Sequence, residues 1–142
     1  MYSWLARRLI RRMLDRQRAG DIDGLLSAYA PDVRFVFPGT SSWAADVTGR
    51  DAIAAWLRRF HRIGIQFEPK EILVSGPPWN MVVCVHFTDH AQDASGAVVY
   101  ENRGVIFGRA AWGKLAYYTV YEDTQKVAEF DHYLAVHESA QA

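Results

Sequence analysis

Apolar residues recur at helical spacing at the start of the chain. Leu5, Leu9, Ile10, Met13 and Leu14 form one stripe along residues 3–19, backed by arginines. Gly20 stops this helix, and Asp21 is placed to cap a second one that runs to about Tyr29 before Pro31 ends it. At Val33 the period shortens to two: Val33, Phe35 and Phe37 share a face opposite Arg34 and Val36. The small residues from Gly39 to Thr48 read as a loop carrying Trp43. Residues 50–63 return to helical spacing, with Ile53, Trp56, Leu57 and Phe60 on one side.

The second half alternates. Residues 65–74 lead to the turn Gly76-Pro77-Pro78, and residues 81–90 follow as a strand. In it, Met81, Val83, Val85 and Phe87 oppose Val82, Cys84, His86, Thr88 and His90. Asp93-Ala94-Ser95-Gly96 is a hairpin turn, residues 97–108 a long strand, and Trp112-Gly113 turns it into another over 115–123. A closing helix starts at Thr124 and carries Val127, Phe130 and Leu134. Helices, a short strand, an antiparallel meander and a last helix predict an α+β fold in a single domain spanning residues 1–142.

Composition narrows the function. Half of the residues are hydrophobic and 13% are aromatic, which suits a core lined around a cavity. The formal net charge is zero, so the chain as a whole has no pull toward nucleic acid or a membrane. Cys84 stands alone, which leaves neither an intrachain disulfide nor a cysteine-based metal site. No apolar run approaches the roughly 18 residues of a membrane span, and arginines interrupt the first turn where a secretory leader would be apolar. The expectation is a soluble cytoplasmic protein.

Several short motifs stand in a telling order. Gly20-Asp21 and Tyr29-Ala30-Pro31-Asp32-Val33 come first, then Gly49-Arg50-Asp51-Ala52-Ile53. Gly113-Lys114-Leu115 and Tyr121-Glu122-Asp123-Thr124 follow. Their spacing resembles the SnoaL-like branch of the nuclear transport factor 2-like superfamily. That resemblance implies a cone of curved antiparallel sheet and helices around an apolar pocket, often dimeric through the sheet. It also implies a choice among isomerases, epoxide hydrolases, polyketide cyclases, dehydratases and non-catalytic binding domains, because function lives in the site and not in the fold.

Two known residue sets are missing. Matching to ketosteroid isomerases puts their base at Phe37, their oxyanion tyrosine at Met13 and their aspartate at Val105 or Ile106. Matching to limonene epoxide hydrolases puts their arginine at His86 and their aspartates at Thr88 and Val120. Their assisting tyrosine and asparagine fall at Phe35 and Phe37. Neither reaction is expected by those routes.

Pleating, anchored by the family match that turns Val120 inward, supplies another set. Ala116, Tyr118, Val120 and Glu122 share the inner face, as do Tyr100, Asn102, Gly104 and Ile106. A hairpin centred on Trp112 pairs Glu122 with Asn102, and one centred on Ala94 pairs Asn102 with His86. His86, Asn102 and Glu122 then form a row with about 5 Å between neighbours. A titratable imidazole, an amide donor and a desolvated carboxylate suit proton transfer on a carbonyl compound. The structural alternative has Asn102 and His86 satisfying each other or a buried water, with Glu122 at a rim beside Asp123.

The remaining side chains complete the expectation. Tyr29, Phe35, Phe37, Trp43, Trp56, Thr88, Tyr118 and Val120 are expected to line the pocket, favouring a flat or cyclic apolar ligand. No metal is expected: His86 and His90 lie about 13 Å apart along a strand, and His61, His132 and His137 lack gathering spacing. No cofactor is implied. The arginines of the first helix read as a solvated face, with an anionic surface as the functional alternative. A cyclase or isomerase for an apolar, polyketide-like or terpenoid-like carbonyl compound leads, against a non-catalytic hydrophobic-ligand-binding or accessory domain. The expected partners are that small molecule and a second copy, docked through the convex face of Val105, Phe107, Tyr117, Thr119 and Tyr121. Nucleic acid and membrane are not expected.

Overall fold

Helical periodicity and the stop at Gly20 set the first elements in a computed structural model that describes residues 2–138. Helix α1 spans Tyr2–Ala19, and Gly20 leaves it at φ 74°. Helix α2 is one short turn, Ile22–Leu26, with the Asp21 carboxylate accepting from the Gly24 N–H. It ends earlier than expected, because Tyr29 already belongs to strand β1, Tyr29–Phe37. Pro31 sits where the register of that strand shifts, the place a sheet tolerates a missing N–H. Helix α3, Arg50–Ile63, presses Ile53, Ala54 and Leu57 into the core, and Gly64 caps it in the left-handed region.

The expected loop over 39–48 contains a strand. Strand β2, Ala45–Thr48, pairs antiparallel with β1, tied by the Arg34–Asp46 ion pair at 2.8 Å. Its lack of large apolar residues hid it. Strands β3, Gln66–Ser75, β4, Met81–Gln92, β5, Val98–Ala111, and β6, Lys114–Glu122, form the expected antiparallel meander. Strand β1 adds to β6 in parallel, so one mixed sheet runs β2-β1-β6-β5-β4-β3. Helix α4, Thr124–His137, capped by Asp123, closes one end with Val127, Phe130 and Leu134 buried. The sheet curls around α1 and α3, and the core lies between them.

Two bulges decide which side chains face that core. The turn after β4 pairs Gln92 with Val98, and a register shift beside Val99 then sets Asp89 opposite Asn102. After the two-residue turn Trp112-Gly113, both at positive φ, a second shift at Ala116 sets Gly104 opposite Glu122. A bulge inserts one residue, and a one-residue change exchanges the two faces of a strand. Met81, Val83, Val85, Phe87 and Asp89 therefore point inward on β4. His86 points outward between Glu71 and Val105, and Thr88 shares its face. This corrects the face assigned to both residues. Leu115, not Ala116, takes the inner position at the start of β6.

Candidate functional site

A cavity of about 140 Å³ opens between α1, α3 and the inner face of the sheet. Most of its wall is hydrocarbon: Leu14, Leu57, Met81, Val85, Phe87 and Ile106 are representative. Of the expected pocket residues, Tyr29, Phe35, Trp56, Tyr118 and Val120 line it, and so does Glu122. Phe37 and Trp43 lie deeper, beside a small second chamber of about 10 Å³ shared with Asp89, Tyr100 and Glu122. Thr88 lines neither space. Glu122 is thus the carboxyl that borders both spaces, with Asp89 and Tyr100 beside it in the smaller one.

The sheet register assembles the groups around it. Asn102 on β5 is diagonal to Glu122 and reaches it, the Nδ2 donating to Oε2 at 3.1 Å. The same amide donates to the Tyr100 hydroxyl and the Asp123 carbonyl, while its Oδ1 accepts from the Arg103 N–H. Tyr100 donates its hydroxyl to Glu122 Oε2 at 2.6 Å and stacks on Phe130 of α4. Two of the three residues of the expected row, Asn102 and Glu122, therefore meet. The third place belongs to Asp89, and His86 is on the opposite face of the sheet.

Asp89 is the group that sequence reasoning missed. Its side chain is buried, with the residue 2% exposed, and its Oδ1 has no protein partner. Burial first, and the Glu122 charge second, push its pKa up to about 9. Burial also raises Glu122, against the stabilising bonds from Tyr100, Asp89 and Asn102. The hydrogen bond between the two carboxyls raises Asp89 and lowers Glu122, so of the pair Asp89 is the one whose neutral form is favoured. The sequence did hold a signal: an aspartate in the otherwise apolar alternation of β4, with odd parity.

Gly104 makes room for this arrangement. A Cβ there would meet Glu122 Cγ at 2.9 Å and Phe87 Cζ at 3.0 Å, besides the Tyr121 carbonyl. Elsewhere on β6, Tyr118 accepts the hydroxyl proton of Tyr29 at 3.2 Å. Two hydroxyls joined by one bond leave one proton without an acceptor, and both residues line the cavity. Burial drives the Tyr29 pKa to about 12 and that of Tyr118 upward too, so both remain neutral donors. Among the described residues no three His, Cys, Asp or Glu side chains gather to hold a metal ion.

The family of SnoaL-like domains matches residues 10–118, most of the chain. The chain is a SnoaL-like domain. No curated protein matches it in sequence. Solved structures share its nuclear transport factor 2-like fold at low identity. TerC, co-crystallised with polyporic acid, is 23% identical at a TM-score of 0.74, covering 89% of this chain and 98% of TerC. A candidate polyketide cyclase from Xanthomonas campestris pv. campestris is 20% identical at 0.67, covering 92% and 99%. A candidate ketosteroid isomerase from Kribbella flavida is 19% identical at 0.68, covering 85% and 79%. No described helix of this SnoaL-like domain is long and apolar enough to cross a membrane.

Proposed function

We propose that this SnoaL-like domain is an acid–base enzyme of the cyclase or isomerase kind. Its substrate is an apolar cyclic or polyketide-like carbonyl compound. The observation that carries the reading is Glu122, a carboxyl at the inner end of a mostly apolar cavity, paired with Asp89 buried behind it. Glu122 is the catalytic residue: as carboxylate it takes a proton from carbon beside the ligand carbonyl and returns it to another atom. Asp89, Tyr100 and Asn102 are positioning residues that donate to Glu122 and hold the extra proton off it. The spare hydroxyl proton of the Tyr29–Tyr118 pair is available to a carbonyl oxygen, whose negative charge grows as the carbon is deprotonated. A relative crystallised with a small organic acid, and another described as a candidate polyketide cyclase, agree with this substrate class.

Binding without turnover is the second reading, favoured by Glu122 Oε2 being fully engaged by Tyr100 and Asn102. The experiment that separates them starts with a screen of apolar carbonyl compounds for thermal stabilisation. Turnover of a stabilising compound is then compared between the native protein and Glu122→Gln. Loss of turnover with retained binding supports the enzyme; binding with no turnover in either supports the binding domain. The outer sheet face, where Val105 and Tyr121 are exposed beside Phe107 and Tyr117, supports a homodimer formed through it.

A further inference from the structure

The mouth of the cavity has the character of an interfacial surface. Tyr2, Leu5 and Leu9 of α1 and Gly113 of the β5–β6 turn line the cavity and are exposed. Trp112 precedes that glycine and is 71% exposed, and its N–H donates to the Pro78 carbonyl of the neighbouring turn. This brings Trp79, 59% exposed, to 6.0 Å from Trp112 between ring centres. Trp4, 62% exposed, stands on the outer side of α1 under the Arg8 guanidinium at 5.5 Å. More than half of the large apolar side chains exposed among the described residues belong to these three segments.

The same segments concentrate positive charge. Residues 2–14, 75–81 and 109–115 contain Arg7, Arg8, Arg11, Arg12, Arg109 and Lys114, and no aspartate or glutamate. In a chain neutral overall, the three segments that supply the mouth residues are therefore cationic, with Arg109 turned toward Phe107 on the outer sheet face. Tryptophan, tyrosine and leucine mixed with arginine are the side chains that partition into lipid headgroups, the rings at the boundary and the guanidinium groups on phosphate.

We propose that this rim docks the protein on an anionic lipid surface, so that the cavity takes its apolar ligand from the lipid phase. The proposal stands apart from the chemistry at Glu122, since either a catalyst or a carrier could be loaded this way. The shape fits: the apolar walls begin at the residues that would enter the headgroup layer, leaving no aqueous gap for the ligand to cross. Charge favours an anionic partner, because each arginine near a negatively charged leaflet gains attraction that a neutral one does not offer.

The test is sedimentation with vesicles of phosphatidylcholine alone or mixed with phosphatidylglycerol, together with tryptophan fluorescence. The expected result is binding to the mixed vesicles, weakened by salt, with a blue shift and quenching by brominated acyl chains. The double variant Trp79→Ala/Trp112→Ala should weaken binding by about tenfold. Arg7→Glu/Arg11→Glu should remove the preference for anionic lipid, and circular dichroism should show both variants folded. No binding by the native protein, or binding unchanged in both variants, overturns the proposal. A dimer in light scattering that the rim variants dissolve, with no lipid binding, assigns the rim to a second copy and overturns it too.

Discussion

The two ends of the cavity invert the usual order of a folded protein, in opposite ways. At the inner end, Asp89 is enclosed and Glu122 half-buried beside Val127 and Phe130 of α4. At the mouth, tryptophan and leucine are in water among arginines. Folding alone favours neither arrangement, since buried carboxyls cost free energy and exposed apolar surface gains none. The middle of the cavity, by contrast, is ordinary core lining: Phe35, Val85 and Phe87 are enclosed and packed. The difference teaches where to look for function: on the proposed reading, the inner end would serve chemistry and the mouth access.

The largest expected effect breaks the inner end. Glu122→Gln keeps the shape and hydrogen bonding of the side chain but removes the base, so turnover should fall by about 10² to 10⁴. Steady-state rates measured beside ligand binding check this; full activity in the variant would end the role given to Glu122. A change that disturbs only position should do less. Gly104→Ala drives a methyl group into the Tyr121 carbonyl and toward Glu122 Cγ and Phe87, so it should lower the melting temperature as well as turnover, the latter by roughly tenfold to a hundredfold.

The buried pair also predicts an unusual pH dependence. Folding raises the Asp89 pKa from 3.8 to about 9, so the folded protein prefers the neutral acid. The contribution of this group is complete below pH 4 or so and is lost progressively as pH rises toward about 9. Asp89→Asn, which keeps a donor for Glu122 and cannot ionise, should therefore melt higher than the native protein at pH 8, by several degrees. The gap should close as pH falls to about 4. A variant that melts lower than the native protein at pH 8 would show that Asp89 is held as carboxylate.

The smallest effect is expected on the outer face. His86→Ala should leave turnover within about twofold, because the ring is across the sheet from Glu122. Light scattering of the native protein gauges the outer face as an interface: a particle of 16.1 kDa would remove the dimer, whatever the site does.

Much of this molecule could be read from residue order. The helix boundaries at Arg50, Ile63 and Thr124 and the four-strand meander follow from strong periodicity and turn residues, and the inward set Tyr100, Asn102, Gly104 and Ile106 from pleating anchored on the family resemblance. The parallel pairing of β1 with β6 did not, since nothing local in Tyr29–Phe37 records a partner eighty residues away in the chain. The site was half legible for a narrower reason. Alternation tells which residues on a strand go together, but not which set faces in. That was decided by single extra residues at Val99 and Ala116, and neither carries the glycine or proline by which bulges announce themselves. The apolar side of β4, Met81 to Phe87, was the better guide to its inner face than the hairpin count.

Gly104 has a consequence for anyone who would move this chemistry elsewhere. The location of Glu122 is recorded twice in the chain, once as a carboxylate and once as the missing side chain opposite it, in a space bounded first by the Tyr121 carbonyl and then by Glu122 Cγ. Grafting the acid onto a homologous scaffold whose neighbouring strand carries any larger residue would deliver the right functional group into an occupied volume. The portable unit is therefore a pair of positions on two strands, an acid and a vacancy, and a design that copies only the acid copies half of it.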